Sequence, residues 1–301
     1  MKQRIITALI MVVIFLPIAI IGGIPFYCLI AVAVGWGMFE IMRATEGNIS
    51  KDSIATKCMS WPTYLIALSV VLTMLGALYP YFYNLLNGNG FVFSEIQIPI
   101  IPFVLLTFAL FTGAVFNQNV DIKDVFLVIA MSMFLMIGGQ SIAMIRDMGW
   151  PFIVFALLTC FVTDMGAYFV GSFCTKRFET HKLNERISPK KTIEGSIGGT
   201  ILGTLIPFLI TLIPSMNLKN DNLFGGVEME WWFVLLVAFI MSLTAQVGDL
   251  TFSAIKRHFD IKDYSQIFPG HGGVLDRLDS ILFNMIFFAV IIMTIVTKSI
   301  F

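Results

Sequence analysis

Residues 231–297 read WWFVLLVAFIMSLTAQVGDL, then TFSAIKRHFDIKDYSQIFPGHGGVLDRLDS, then ILFNMIFFAVIIMTIVT. The outer two segments are apolar, and each is close to the roughly 20 residues a helix needs to cross the hydrocarbon core of a bilayer. The segment between them is dense in chemistry. From Gln246 to Ser280 the chain places four of its nineteen Lys and Arg, together with Asp249, His258, Asp260, Asp263, His271, Asp276 and Asp279, although only 13% of the protein is charged. Two membrane helices flanking a polar loop at one membrane face is the fold unit this stretch predicts.

The same pattern extends through the rest of the chain. A hydrophobic content of 57%, with 29 Phe and 17 Met and a mean hydropathy of +0.88, exceeds what a water-soluble core needs. The expectation is an all-α polytopic integral membrane protein with about nine transmembrane helices: 5–22, 24–42, 62–80, 98–116, 125–145, 150–171, 195–214, 231–250 and 281–297. Cytoplasmic loops are enriched in Lys and Arg. With nine spans and a cytosolic N-terminus, sixteen of the nineteen basic residues fall inside, leaving Arg146, Lys219 and Lys298 outside. The two polar loops, 172–194 and 251–280, then share the cytosolic face. The first span follows Lys2 and Arg4 like a secretory signal, but Ile24, Pro25 and Phe26 offer no small-residue cleavage site, so it is expected to remain as a helix. Cys28, Cys58, Cys160 and Cys174 lack C-x-x-C spacing and read as packing residues. A net charge of zero gives no case for nucleic-acid binding.

Spacing gives the polar loops chemical content. Gln246, Asp249, Ser253 and Arg257 are separated by three, four and four residues, which puts them on one stripe if the eighth helix continues past its apolar run. Asp276 and Asp279 share a face at the start of the ninth span, with Ser280 and Asn284 behind. Three carboxylates can thus converge across two helices, and sparse hard oxygen ligands completed by water and phosphate suit Mg²⁺ better than zinc. Between them, Pro269 to Gly273, with glycines at Gly270, Gly272 and Gly273, can curl backbone N–H groups around an anion. His271, set between glycines, is placed to donate a hydrogen bond to phosphate. In the loop 172–194, Ser188-Pro189 reads as an N-cap followed by a first-turn proline. Lys190 and Lys191 then fall in a first helical turn, where they oppose the helix dipole unless they and the helix end jointly bind a phosphate. Attraction to anionic headgroups is the competing explanation for Lys176, Lys182 and Arg186. Gly195, Gly199 and Gly203 form a helix-packing face. Asp164 lies in the sixth span, and such a residue faces a polar cavity or pairs with a basic group. Glu40, in the second span, reads as a carboxylate reaching the headgroup region beside Arg43.

The pattern S-x-x-K-R, K-D and P-G-H-G-G-x-x-D-R-x-D, here Ser253, Lys256, Arg257, Lys262, Asp263, Pro269 to Gly273, Asp276, Arg277 and Asp279, resembles the phosphatidate cytidylyltransferases, the CDP-diacylglycerol synthases. The resemblance extends to Ser188, Pro189, Lys190, Lys191, Thr192, Glu194 and Gly195. It implies CTP and phosphatidate as substrates, CDP-diacylglycerol and pyrophosphate as products, and Mg²⁺ as cofactor, with a second cation left open. It implies Asp249 and Asp276 as metal ligands and Asp279 as a third ligand or a partner to them. Lys190, Lys191, Lys256, Arg257, His271 and Arg277 are implied to hold phosphates. Ser188, Thr192, Gly270, Gly272, Gly273 and Asp164 complete the expected substrate-binding set. The expected division is 1–97 without catalytic motif and 98–301 carrying the site. A bacterial inner membrane location with the site facing the cytosol follows, and the glycine faces permit a homodimer.

Two other readings keep part of this logic. A related CTP-dependent transferase acting on an isoprenoid or ether lipid would share the metal and phosphate groups. A transporter would share the many spans and Asp164. Transporters, however, set their polar residues at the midplane within related repeats, whereas these charges cluster at one face and no repeat is visible.

Overall fold

The computed structural model describes residues 15, 17–47, 61–81, 96, 98–118, 120–218, 230–267 and 272–300. Among them are eight helices of fifteen or more residues: α1 (Gly23–Gly47), α2 (Thr63–Ala77), α3 (Ile100–Phe116), α4 (Ile122–Met148), α5 (Trp150–Arg177), α6 (Ile193–Thr211), α7 (Trp231–His258) and α8 (Leu275–Ile300). Six are long and apolar enough to cross a bilayer, while α2 and α3 are apolar but shorter. The protein is therefore an all-α polytopic membrane protein. Eight of the nine expected spans coincide with these helices, and the first, 5–22, lies largely outside the described residues. The structure adds one element that the apolar pattern does not announce, an antiparallel hairpin of β1 (Lys182–Asn184) and β2 (Ser188–Thr192).

The chain divides into two compact units, residues 1–144 with 255–278, and 145–254 with 279–301. In the first, α1 packs on α2 and α2 on α3. Val34, Met38, Ile41 and Met42 of α1 and Leu106 and Leu110 of α3 are buried. Close approach is made by small residues: a Cβ on Gly35 would meet the Met74 side chain, and one on Gly76 would meet that of Met136. Buried polar groups tie the elements together. The Trp61 indole donates to Thr45 Oγ1 at 2.9 Å, and the Gln140 amide donates to the Gly76 carbonyl at 2.8 Å, because an unpaired polar group in an apolar interior is expensive. Phe108, Val115 and Phe116 of α3 are exposed, as expected of side chains that face lipid.

In the second unit α5 and α6 make the most intimate contact. A Cβ on Gly199 would lie 2.7 Å from the Thr163 carbonyl, and one on Gly195 would lie 2.7 Å from the Ala167 carbonyl. The backbones touch because the side chains are missing, which is the packing mode of small-residue faces in membranes. The expected glycine face is therefore used inside the chain and does not argue for a homodimer. Thr163 Oγ1 and Ser242 Oγ are hydrogen-bonded at 2.8 Å, and Phe152 stacks on Phe288. Between α4 and α5 the backbone turns at Gly149, whose φ of 142° is a conformation that side chains rarely adopt.

Candidate active site

The hairpin and the start of α6 explain how the first basic cluster is placed. Helix formation begins at Ile193, with Thr192 as the N-cap accepting from Gly195 N at 3.1 Å. This corrects the expectation that Ser188-Pro189 begins the helix: Ser188 pairs across the hairpin with Asn184, and Pro189 sits exposed within β2. Thr192 is the better cap because it stands directly before the apolar run, with Glu194 in the first turn. Lys190 and Lys191 consequently lie on a strand, where successive side chains point to opposite faces, and the argument from an opposed helix dipole does not apply to them. Lys190 is exposed, while Lys191 is half-buried and ion-paired with Asp249 of α7. The hairpin is held to α6 by Glu194, which accepts from His181 N at 3.1 Å and meets His181 Nδ1 at 2.9 Å. Asn184 Oδ1 accepts from Ile187 N at 3.2 Å and closes the turn.

The predicted stripe on α7 exists, since the helix runs unbroken to His258. Gln246 donates to Thr200 Oγ1 at 2.8 Å and accepts from Ser196 Oγ, which fixes the face that turns Asp249 toward Lys191. Arg257 is exposed near the end of the helix and donates to the Ile261 carbonyl at 3.2 Å, in the segment that follows it.

Within the first unit, Asp276 is the centre of a second cluster. Its Oδ1 accepts from Lys256 Nζ at 2.8 Å, and its Oδ2 accepts from Tyr264 N and from Gly273 N, each at 2.9 Å. Lys256 also lies over the Tyr264 ring at 5.6 Å. The Asp276 and Lys256 side chains are 3% and 11% exposed, so this is a buried ion pair whose hydrogen bonds help offset the cost of taking both charges out of water. Gly272 has φ of 84°, and a Cβ there would lie 2.7 Å from Asp276 Oδ2. Glycine is required on both counts. Arg277 projects from the first turn of α8 and is exposed. Pro269, Gly270 and His271 lie outside the described residues.

Glu40 departs from its expected place at the headgroups. It is 1% exposed, and its carboxylate accepts from Ser265 Oγ at 2.6 Å, Val274 N at 3.0 Å and Leu275 N at 2.8 Å. No local signal in the sequence marks this contact, which joins residues more than two hundred positions apart. In the second unit, Asp279 is buried and its Oδ1 accepts from Ser280 N at 2.8 Å. Ser280 Oγ donates to Asp164 Oδ2 at 3.5 Å. Asn284 donates to the Ala156 carbonyl at 3.1 Å and to Cys160 Sγ at 2.8 Å. Because α5 runs on to Arg177, Asp164 stands thirteen residues from its end, about 20 Å along the axis at 1.5 Å per residue. Thr163 faces Ser242.

Among the described residues no three His, Cys, Asp or Glu are arranged to hold a metal ion. Asp249 and Asp276 each carry a lysine, since a carboxylate in a low-dielectric setting takes a counter-charge. The donor chemistry still fits Mg²⁺, which binds through one or two carboxylates and completes its shell with water and substrate phosphates. An ammonium already occupies the position at each carboxylate where positive charge is favoured.

The model of the Cytidylyltransferase family matches residues 2–295, and the chain belongs to that family. It is 31% identical to a phosphatidate cytidylyltransferase of Bacillus subtilis (strain 168), over 95% of this chain and 96% of the relative. It is 33% identical to one of Staphylococcus haemolyticus, over 94% of this chain and 95% of that protein. Family membership makes the protein an enzyme that transfers a nucleotidyl group.

Proposed function

We propose that this protein joins CTP and phosphatidate to give CDP-diacylglycerol and pyrophosphate. The family match over nearly the whole chain carries this reading, since every curated relative compared above has that activity in its name. In the reaction a phosphate oxygen of phosphatidate forms a bond to the α-phosphorus of CTP, and the α–β phosphoanhydride bond breaks. The lipid phosphate is already ionised at neutral pH, so no strong base is needed. The protein must align the reactants and neutralise charge on the transferring and leaving groups.

Asp249 and Asp276 are the residues that would hold Mg²⁺, with Asp279 as a supporting carboxylate. When bound, the cation supplies Lewis-acid polarisation of a phosphoryl oxygen and charge for the leaving pyrophosphate. Lys191 and Lys256 exchange their carboxylate partners for substrate phosphates, so the ion pairs hold each ammonium in a defined rotamer until phosphate arrives. Exposed Lys190, Arg257 and Arg277 add phosphate contacts, as do His271 and the glycines Gly270, Gly272 and Gly273. Ser188 and Thr192 orient the hairpin that presents the lysines, and Asp164 with Ser280 lines the polar end of the lipid site. The chemistry is thus assigned to 98–301. The charge bias supports a cytosolic N-terminus and a site facing the cytosol, and the apolar helices together with the bacterial relatives support a place in the bacterial inner membrane.

The test is conversion of α-labelled CTP into a chloroform-soluble product by the purified protein, with and without phosphatidate and Mg²⁺, beside Asp276→Asn. Label entering lipid only with all components, and not with the variant, is the expected result. Transfer to an isoprenoid or ether lipid phosphate but not to phosphatidate would change the substrate. No transfer to any lipid would overturn the reading.

A further inference from the structure

We infer that Glu40, in the part of the chain that carries no catalytic motif, is a positioning residue for Asp276. The inference rests on the cytidylyltransferase reading for its activity measurement and on geometry for its substance. Two carboxylates grip the same two short segments in alternation. On one segment, Tyr264 N donates to Asp276 while the neighbouring Ser265 Oγ donates to Glu40. On the other, Gly273 N donates to Asp276 while the next two amides, Val274 N and Leu275 N, donate to Glu40. A Cβ on Gly273 would run into the Glu40 carboxylate, so the loop is shaped to admit it.

Glu40 therefore does from another helix what an N-cap residue does locally. It satisfies the amides that open α8 and places negative charge at the positive end of that helix. Asp276 is the next residue after Leu275. Its backbone is set by the amides Glu40 holds, and one of its own hydrogen-bond donors is the residue before them. Packing of α1 on the helix start is close as well, with a Cβ on Gly37 falling 3.0 Å from Leu275 Cδ2. A carboxylate with this burial inside a spanning helix is costly, and three hydrogen bonds to one loop are what it obtains in return. Glu40 is not within reach of substrate through any contact described; it acts on the reaction through the angle of Asp276 and, by way of that residue, Lys256.

The experiment uses the full chain in detergent or nanodiscs, with Glu40→Gln, Glu40→Ala and Ser265→Ala. Gln keeps the shape and one acceptor oxygen, whereas Ala keeps neither. The expected result is a fall in kcat of about tenfold for Gln and about a hundredfold for Ala, the scale on which small misplacements of reacting groups act. KM for CTP and for phosphatidate changes less than kcat, since Lys190, Lys191, Arg257 and Arg277 are proposed to contact phosphate without touching Glu40. Hydrogen exchange supplies a readout independent of activity: amides of residues 272–276 exchange faster in Glu40→Gln, while those of α2 and α3 do not. Wild-type kcat in a folded Glu40→Gln protein, or exchange raised evenly through the first unit in step with lost activity, would overturn the assignment. If both Glu40 variants fail to fold, Ser265→Ala decides: a few-fold lower kcat with faster exchange at the loop supports positioning, and no change in either refutes it. A wild-type protein that moves no label from CTP to lipid sinks the reading of function, whereas the exchange data still test the Glu40 cap.

Discussion

The structure shows Asp276 as the buried partner of Lys256, and the proposed function adds metal binding to that role. As the proposed metal ligand its loss removes turnover, and Asp276→Asn is expected to lower kcat by roughly 10²–10³-fold, the range seen when a preorganised electrostatic group is removed. As the buried partner of Lys256 its loss also leaves an ammonium without its counter-charge, which costs about 3–5 kcal/mol. Sequence reasoning alone expects Asp276→Asn to leave the protein otherwise intact. Burial at 3% predicts instead a lower Tm and reduced yield. Adding Lys256→Met restores the Tm without restoring activity, a pattern that thermal melts of the single and double variants would check. Lys191 is a useful contrast. Its pair with Asp249 is about a quarter exposed on each side, so Lys191→Ala shifts stability by only about 0–1 kcal/mol, while KM for one phosphate-bearing substrate rises by tenfold or more. A Tm drop comparable to that of Asp276→Asn would contradict this division. The acids and lysines themselves were legible from type and spacing. Which lysine each acid holds was not, because Lys191 and Asp249 are 58 residues apart and no periodicity links a strand to a helix.

Helix existence is the level at which the sequence speaks most clearly. Apolar runs of membrane length, set off by charges, located α2, α3, α4 and α6 to within about three residues, whereas α5, α7 and α8 extend six to eight residues past the expected span at one end; the stripe from Gln246 to Arg257 required α7 to outlast its apolar run, as it does. The hairpin was hidden because Lys182–Thr192 has neither alternating hydrophobicity nor a Gly-type turn, and Ser188-Pro189 imitates a helix start. Its stability comes from tertiary hydrogen bonds to α6, not from propensity. Thr192 is the joint between strand and helix, and Thr192→Val removes the cap while keeping the volume, for about 1 kcal/mol of stability. Since Lys191 precedes it directly, activity should fall more than the Tm change accounts for. The α5–α6 contact offers a second check. Gly199→Ala forces a Cβ against the Thr163 carbonyl with no flexible side chain to yield, so the helices must separate and the Tm falls. Ile201→Ala, on the exposed face of the same helix, should change it little. Equal melting temperatures for the two variants would mean that the glycine face is not the contact that holds α5 to α6.

At the scale of the whole molecule, parity relates the sidedness of the two polar loops. The loops 172–194 and 251–280 are separated by two spanning helices, α6 and α7, so both loops emerge on the same side if each helix crosses once. The bias of Lys and Arg supports the proposal that this side is the cytosol, where CTP is found, and that the segment before α7 lies outside. In a chain whose four cysteines are replaced, single cysteines at Lys182, Lys262 and Glu230 report the three positions, all of which are exposed. A membrane-impermeant maleimide should label Glu230→Cys in intact cells and reach Lys182→Cys and Lys262→Cys only after the membrane is opened. Labelling of Lys182→Cys and Lys262→Cys on different sides would mean that α6 or α7 does not cross. Labelling of both in intact cells would place the acid–lysine pairs on the face that has no CTP, and the nucleotide could not then be the substrate at that site.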